Sequence, residues 1–319
     1  MKPFAIVFPG QGSQAVGMLD AWSDHPEVRS VVREASDALA QDVGALIAQG
    51  PKEALALTTN TQPVMLVAGV AAYRVWMAET GVAPTLLAGH SLGEYAALVA
   101  AGVLTLSQAA PLVRFRAQAM QEAVPVGHGA MAAVLGMDAG LVKSICAELS
   151  ASLGGQEVVE AVNFNDPLQT VIAGSKAAVE QACLAVKAQG AKRALPLPVS
   201  APFHSTLMRP AALKLRERLA QVQFAAPKIA VLNNVDVAIE SDAERIRDAL
   251  FRQAFGPVRW VECVQAMAAR GISAVVECGP GKVLAGMTKR IAPEVQGLPL
   301  FDLASLAEVK AAILGDRAT

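Results

Sequence analysis

Ser91 lies between two glycines in the segment Gly89-His90-Ser91-Leu92-Gly93, where an apolar run meets an alanine-rich run. This spacing matches the G-x-S-x-G pattern, in which a sharp strand-to-helix turn exposes a nucleophilic serine. The glycines let strand and helix approach closely, and the N–H of Leu92 would face a developing oxyanion at the helix N-terminus. The pattern also fits a plain strand–helix turn, but its position between a predicted strand and a predicted helix favours the nucleophile.

A nucleophilic serine needs a base, most often histidine, and the chain offers four histidines. His25, near a helix start, and His128, in a glycine-rich linker, are expected to be solvated. His90 adjoins the serine, but neighbouring side chains in a tight turn usually point apart. His204, in the segment SAPFHSTLM, lies where the chain returns to its main domain, so it is the favoured base.

Composition limits the classes of protein to consider. The chain has 319 residues and a net charge of -1, which suits one large domain with an insertion or two domains and gives no reason to expect a nucleic-acid partner. We expect no membrane span and no signal peptide, because the apolar runs are too short. The cysteines are scattered, without C-x-x-C spacing or companion histidines, so we expect no metal site, no disulfide framework and a cytoplasmic location.

Strand and helix patterns alternate on both sides of a segment with a different order. The alternation predicts a parallel α/β core formed by residues 1–126 and 201–319, with strands in FAIVF, APTLLAGH, KIAVLNNVD and ISAVVECG. Residues 127–200, called the insert below, show the order β-α-β-β-α-β of a ferredoxin-like arrangement. Ser107 is predicted to cap the helix that carries LVRFRAQAM.

Seven segments together resemble one family in their order and spacing: FPGQGSQAVGM, NTQPVM, GHSLGEYAAL, RFRAQAM, NFNDP, PVSAPFHSTLM and ECGPGKVLAGM. They are similar to the malonyl-CoA:acyl carrier protein transacylases of bacterial type II fatty acid synthesis, over essentially the whole chain. The resemblance implies an α/β-hydrolase-like core with a ferredoxin-like insert. It also implies Ser91 as nucleophile and His204 as base, with a backbone carbonyl at Gln253 orienting the histidine, so a dyad replaces the Ser-His-Asp triad.

The loop PGQGSQ resembles the family's glutamine loop, which assigns the second oxyanion donor to the backbone N–H of Gln11. A phosphate-binding loop is the alternative, but neither G-x-x-x-x-G-K-[ST] nor G-x-G-x-x-G is present. The family's carboxylate-binding arginine matches Arg116, four residues before Met120. Arg114 points about 200° away on the same helix and is expected at the surface. A planar guanidinium suits the malonyl carboxylate, because a buried carboxylate needs a partner.

Further residues of the matching motifs are expected around the acyl group. Phe203 leaves less room for an α-methyl substituent, although one methylene is worth only ~1–3 kcal/mol. Gln62, Asn163 and Val283 are expected to line the pocket, and each could equally be structural. Two basic pairs, Lys289-Arg290 and Lys192-Arg193, are candidates for docking an acidic carrier protein; ordinary solvated helix ends are the alternative.

The resemblance implies a ping-pong transfer of malonyl from malonyl-CoA through Ser91 to the phosphopantetheine thiol of holo-acyl carrier protein. The implied partners are coenzyme A thioesters and acyl carrier protein, with no bound cofactor and a monomeric enzyme. Two alternatives stay open. One is another acyltransferase, either of malonate decarboxylase or a standalone polyketide enzyme. The other is a serine hydrolase or thioesterase, although an arginine that holds a carboxylate argues against a generic esterase.

Overall fold

The computed structural model describes residues 2–22, 24–155, 157–199 and 201–315. Positions 1, 23, 156, 200 and 316–319, which the predicted domain division includes, lie outside the described residues. The strands are β1 (Phe4–Phe8), β2 (Leu86–Gly89), β3 (Gly129–Leu135), β4 (Val159–Asp166), β5 (Gln169–Ser175), β6 (Arg193–Pro196), β7 (Val231–Leu232), β8 (Ala274–Cys278) and β9 (Gln296–Leu300). The α-helices are α1 (Pro26–Leu39), α2 (Val43–Gln49), α3 (Lys52–Ala56), α4 (Thr58–Thr80), α5 (Gly93–Ala100), α6 (Leu106–Glu122), α7 (Ala139–Ser152), α8 (Lys176–Ala188), α9 (Arg209–Ala220), α10 (Ala243–Gln253), α11 (Trp260–Ala269), α12 (Val283–Ile291) and α13 (Leu303–Leu314).

A parallel sheet of five strands, in the order β7-β2-β1-β8-β9, forms the centre of the molecule. All five residues of β1 are buried, as expected for a parallel strand covered by helices on both faces. Strands β1 and β2 pair with Phe8 opposite Gly89. The loop after β1 and the turn after β2 therefore leave the sheet side by side at its carboxyl edge, where open α/β sheets bind their ligands.

An antiparallel sheet of four strands, in the order β4-β5-β3-β6, forms the second part of the molecule. Helices α7 and α8 pack on this sheet around a separate apolar cluster that includes Val134, Ile145 and Ile172. Strand β4 also contacts the chain outside the insert, because the N–H of Phe164 donates to the carbonyl of Val258 at 2.9 Å. The prediction of a mixed α/β fold is confirmed by these two sheets and the helices around them.

Two local predictions need correction. The strand predicted in KIAVLNNVD is only Val231–Leu232, because the chain turns back at once and the N–H of Asn233 donates to the carbonyl of Ala238 at 2.9 Å. The prediction that Ser107 caps α6 is wrong, since the helix begins at Leu106, and its N-cap residue Thr105 forms a capping box with Gln108. Within the described ranges, no helix is long and apolar enough to cross a bilayer.

Candidate active site

The turn that carries Ser91 has the strained geometry of a nucleophile elbow. Ser91 has φ 53°, in the left-handed region that few non-glycine residues adopt. A Cβ on Gly89 would lie 1.9 Å from the backbone of Gly93, and a Cβ on Gly93 would lie 2.1 Å from the carbonyl oxygen of Phe8. Both positions therefore require glycine, which explains the G-x-S-x-G spacing through close contact of strand and helix.

Asn234, which the sequence reasoning missed, stabilises this turn by two hydrogen bonds. The N–H of Ser91 donates to Asn234 Oδ1 at 2.7 Å, and Asn234 Nδ2 donates to the carbonyl of Gly89 at 2.7 Å. The side chain thus holds both ends of the tight turn, and it is fully buried. A signal was available, because the segment after Leu232 continues with two asparagines where a buried strand would carry apolar residues.

The structure brings Ser91 and His204 into direct contact. Ser91 Oγ lies 2.7 Å from His204 Nε2, and His204 Nδ1 lies 2.8 Å from the backbone oxygen of Gln253. A carbonyl only accepts, so Nδ1 carries the proton and Nε2 is the acceptor for the serine hydroxyl. Burial, with the nearby guanidinium of Arg116, lowers the pKa of His204 to about 3. The imidazole is therefore neutral, the form a base requires, at any pH well above that value.

The other histidines have different surroundings. The prediction that His25 is solvated is wrong, because its side chain is only 12% exposed and its Nε2 lies 3.6 Å from the Glu79 carboxylate. Its Nδ1 accepts the N–H of Glu27 and caps α1, which explains its burial at the helix start. His128 is exposed, as predicted. His90 Nε2 lies 2.8 Å from Asn165 Oδ1, so this ring joins the elbow to the insert.

The two residues expected to form the oxyanion hole, Gln11 and Leu92, line one cavity with Ser91. Leu92 is the N-cap residue of α5, and Gln11 lies in the loop after β1. In the described part of the chain, the backbone N–H of neither residue has a protein acceptor. Both residues thus line the cavity and carry a backbone donor without a described protein acceptor, which is compatible with the predicted oxyanion hole.

Arg116 brings a buried positive charge to the same cavity. It is 2% exposed, and its Nη1 donates to Gln62 Oε1 at 2.8 Å. Its Nη2 lies 3.1 Å from Gln253 Oε1 and 3.3 Å from Ser91 Oγ. Among the described residues, no carboxylate lies within ion-pair distance of this guanidinium. The site therefore holds a desolvated cation whose direct partners are neutral, which favours an anionic ligand.

Arg114 lies outside this cavity, as its position on α6 predicts. Its guanidinium donates to Gln41, and the residue lines a groove between α1, α6 and α9. It is half-buried, however, where the sequence predicted a surface residue. Two arginines separated by one residue thus occupy different environments, and the pair offers a matched comparison for mutagenesis.

The catalytic cavity, which contains Ser91, has a volume of about 110 Å³. That volume is small beside the roughly 300–1,000 Å³ of typical ligand pockets, which suits a short acyl group. Its lining residues are Gln11, Gln62, His90, Ser91, Leu92, Arg116, Met120, Met131, Asn163, Leu197, Val199, Phe203 and His204. The insert supplies Met131, Asn163, Leu197 and Val199, and of these four the sequence reasoning had found only Asn163.

Val283 does not line this cavity, so that prediction is corrected. It begins α12 and is 49% exposed. The Glu277 carboxylate accepts the N–H of Ala285 at 2.8 Å and fixes the start of this helix against β8. The first side chain of α12 consequently points to solvent.

The four basic residues proposed for docking all lie on the surface. They differ in their contacts, because Arg290 Nε donates to Asp166 Oδ2 at 2.8 Å and Asp166 is buried in the insert. Arg290 thus has a structural role in joining α12 to β4. Lys289, Lys192 and Arg193 have no ion pair among the described residues. The described residues also contain no cluster of three or more histidine, cysteine or acidic side chains suited to a metal ion.

Comparison with known proteins agrees with this geometry. Residues 5–306 match the acyl transferase domain family. A malonyl CoA-acyl carrier protein transacylase of Escherichia coli is 52% identical over 308 residues, which are 96% of this chain and 98% of that protein. The crystal structure of an acyl-carrier-protein S-malonyltransferase from Burkholderia pseudomallei is 63% identical, with a TM-score of 0.94 over 97% of this chain and 99% of that one.

A malonyl transacylase solved in complex with a type II polyketide synthase acyl carrier protein is 50% identical, with a TM-score of 0.93. The match covers 97% of this chain and 99% of that one. Similarity over nearly the full length of both proteins, at these identities, extends to the whole fold as well as to the motifs. This chain therefore belongs to the malonyl-CoA:acyl carrier protein transacylase family of acyl transferase domains.

Proposed function

We propose that this protein transfers a malonyl group from malonyl-CoA to the phosphopantetheine thiol of an acyl carrier protein, through a malonyl-Ser91 intermediate. The observation that carries the proposal is the buried guanidinium of Arg116, which shares a cavity with a serine–histidine pair and has no carboxylate partner in the described chain. A thioester with a free carboxylate supplies that missing partner. The names of the relatives support the same substrates.

The first half-reaction forms the acyl-enzyme. His204 Nε2 takes the hydroxyl proton while Ser91 Oγ attacks the thioester carbonyl carbon. The oxyanion accepts the N–H groups of Gln11 and Leu92. When the tetrahedral intermediate collapses, the C–S bond breaks and the sulfur of coenzyme A takes the proton from His204. The malonyl group stays on Ser91, with its carboxylate on Arg116.

The second half-reaction repeats these steps with another thiol. His204 takes the proton of the phosphopantetheine thiol, whose sulfur attacks the carbonyl carbon of the malonyl-Ser91 ester. When this tetrahedral intermediate collapses, the ester C–O bond breaks, Ser91 Oγ takes the proton from His204, and the malonyl group leaves on the carrier thiol. Water in place of that thiol would make the protein a hydrolase or thioesterase. The relative solved with a polyketide carrier protein keeps polyketide biosynthesis open as the pathway, beside fatty acid synthesis, and a malonate decarboxylase subunit would share the same chemistry.

The test is the mass added to the protein by different thioesters. Incubation with malonyl-, methylmalonyl- or acetyl-CoA, followed by intact-mass and peptide analysis, should show mainly a malonyl adduct on Ser91. Addition of holo-acyl carrier protein should move that adduct to the carrier, whereas buffer alone should leave it on the serine. Rapid loss of the adduct in buffer would instead indicate a hydrolase, and no adduct at all would contradict the proposal.

Three further proposals concern the domain division, the oligomeric state and the absence of a cofactor. We propose that residues 1–126 and 201–319 form an α/β-hydrolase-like core and residues 127–200 a ferredoxin-like insert; the strand order β4-β5-β3-β6 and its separate apolar cluster support this division. We propose a monomeric enzyme, which light scattering of the purified protein tests. We also propose that no cofactor takes part, since the steps above need only side chains, backbone donors and the two thiols.

Docking of the acidic carrier protein is proposed to involve Lys289. We expect Lys289→Glu to raise the KM for carrier protein severalfold at low salt while malonyl loading of Ser91 changes little, because coenzyme A does not use that surface. Salt should narrow the difference, since charges at this range are screened over about 10 Å at 0.1 M. Arg290 is left intact because its pair with Asp166 would confound the result. Lys2→Glu, before β1 at the sheet edge opposite Gln11, is the control.

A KM for Lys289→Glu equal to that of the wild type at low salt would remove Lys289 from the docking surface. The exposed pair Lys192 and Arg193 would then be tested by the same measurement. A fall in malonyl loading with an unchanged KM for the carrier protein would also contradict a docking role.

A further inference from the structure

Glu94 is a buried carboxylate next to the catalytic dyad that the reaction steps above do not use. It lies in the first turn of α5, three residues after Ser91, and is 3% exposed. Its Oε2 accepts the backbone N–H of Asn234 at 2.9 Å and Gln253 Nε2 at 3.1 Å. Because a buried carboxylate is costly, and because both of its partners hold catalytic groups, this position points to a role in the reaction.

Gln253 connects Glu94 to the two positively charged or protonatable groups of the site. Its backbone oxygen accepts from His204 Nδ1. Its side-chain amide accepts from Arg116 through Oε1 and donates to Glu94 through Nε2. A cation on one side and an anion on the other fix the orientation of this amide. Glu94 is thus linked through one residue to the base, and through one amide group to the carboxylate-binding arginine.

The proton transfer in the first half-reaction creates a charge that the site otherwise opposes. When His204 takes the serine proton, an imidazolium forms in a buried site that already holds the guanidinium of Arg116. The other buried carboxylates of the described chain are occupied elsewhere, because Asp166 pairs with Arg290 and Glu277 accepts the N–H of Ala285. Glu94 is the buried carboxylate among the described residues that contacts the catalytic network.

We propose that Glu94, in its ionised form, is a positioning residue for acyl transfer: it holds Gln253 and Asn234 in place, and its negative charge offsets the positive charge that forms on His204. It acts through Gln253 and takes the part that the aspartate of a triad plays by direct contact. The inference rests on the proposed acyl transfer, and it adds to that reaction a residue outside the dyad, the oxyanion hole and the arginine.

The ionisation of Glu94 makes this role dependent on pH. Burial raises its pKa to about 7, against the opposing effects of the hydrogen bonds from Gln253 and Asn234 and of Arg116. The charged or titratable groups around it are Arg116, Tyr95, Asp236, Glu240 and Cys263. The raised pKa means that the charge is present above about pH 7 and is lost as the pH falls through that value.

Rising pH should have opposite effects on the two properties that depend on Glu94: it favours the role in catalysis and lowers folding stability. Between pH 4.5, the ordinary pKa of a glutamate, and about pH 7, the folded protein keeps the proton on Glu94 whereas the unfolded chain has released it. Stability contributed by this group is therefore lost as the pH rises through that range. Glu94→Gln removes this cost, so its melting temperature should be at least that of the wild type at pH 8, and its advantage should shrink toward pH 5.

The decisive variant is Glu94→Gln, which keeps the size of the side chain and an oxygen that accepts from Asn234 and Gln253. We expect the single-turnover rate of malonyl loading on Ser91 to fall at least tenfold at pH 8, without a rise in the KM for malonyl-CoA. The ratio of wild-type to variant rate should shrink as the pH falls from 8 to 5.5. Glu277→Gln is the matched control, because burial also raises the pKa of that carboxyl to about 7 but it does not contact the network; its rate should stay within twofold of wild type.

A Glu94→Gln rate within twofold of wild type at both pH values would overturn the proposal. So would an equal loss at both pH values together with a lower melting temperature, since that result shows a structural role alone. If the variant cannot be purified, wild-type loading from pH 5.5 to 9 decides: an inflection near pH 7 supports the role and a flat profile overturns it. Failure of the wild type to form malonyl-Ser91 would instead contradict the proposed function.

Discussion

Replacing Ser91 by alanine should abolish the covalent malonyl adduct and lower malonyl transfer by at least about 10⁴-fold, because removal of a serine nucleophile leaves only the binding and oxyanion contributions. The backbone donors of Gln11 and Leu92 remain in this variant. Alanine at a position with φ 53° is no worse placed than serine, so the fold should be retained. Intact mass after incubation with malonyl-CoA measures the adduct, and circular dichroism with the melting temperature checks the fold.

Ser107→Ala is the matched control for this result. Ser107 is an exposed serine on α6 whose hydroxyl donates to Glu34, so its loss should leave loading at the wild-type level. A malonyl adduct that persists in Ser91→Ala, on any residue, would show that the nucleophile has been misassigned. Loss of the adduct together with loss of folding would leave the Ser91→Cys variant as the test, which should still accept the acyl group as a thioester.

The sequence predicted best those parts of the site that a single backbone turn determines. Ser91 was found because its neighbours must be glycine for steric reasons, and this constraint appears directly as G-x-S-x-G. His204 was favoured from its position where the chain leaves the insert, and the resemblance added Arg116 and Gln253. Ser91 follows β2, whereas Arg116 and Gln253 lie within α6 and α10, and the hydrophobic pattern predicts the type of each of these elements.

Residues that act from short, irregular segments were harder to find. Asn234 follows a strand of only two residues, and the apolar pattern around it predicted a longer one. Glu94 was not singled out from the sequence, since it lies in the first turn of α5, where a carboxylate is common because it favours the helix dipole. Its burial depends on contacts with Asn234 and Gln253, which are 140 and 159 residues away in the sequence. Contacts between residues so far apart leave no pattern in the local sequence from which they could be predicted.

The position of the insert relative to the parallel sheet was also not predictable from the sequence. Its strands and helices followed the predicted order, but which of its side chains reach Ser91 depends on how its sheet meets the parallel sheet. That placement results from the contact between β4 and Val258, the hydrogen bond between His90 and Asn165, and the Arg290–Asp166 pair. Met131 and Leu197 line the cavity because of it. Val283, from a motif beside the site, is half-exposed at the start of α12 and does not reach the cavity.

Arg116→Ala should lower malonyl transfer far more than acetyl transfer. The malonyl carboxylate would lose a buried, charge-assisted partner, and breaking a pair of this kind by removing one side costs about 3–5 kcal/mol. At about 1.4 kcal/mol for each tenfold change, the ratio of malonyl to acetyl kcat/KM should fall by about 10²- to 10⁴-fold. The ratio matters more than either rate, because the loss of the guanidinium also frees Gln62 and Gln253 and raises the pKa of His204, effects that both substrates share.

Arg114→Ala is the matched control, since it removes the same side chain from the same helix two residues away. Arg114 donates to Gln41 outside the catalytic cavity, so its loss should leave the malonyl-to-acetyl ratio within twofold of wild type even if stability falls. The measurement is kcat/KM for loading Ser91 from each thioester in wild type and both variants. Equal losses for malonyl and acetyl in Arg116→Ala would show that Arg116 supports the dyad without binding the substrate carboxylate. Because no second unpaired buried cation lines the cavity in the described chain, that result would also remove the physical basis for choosing malonyl as the substrate.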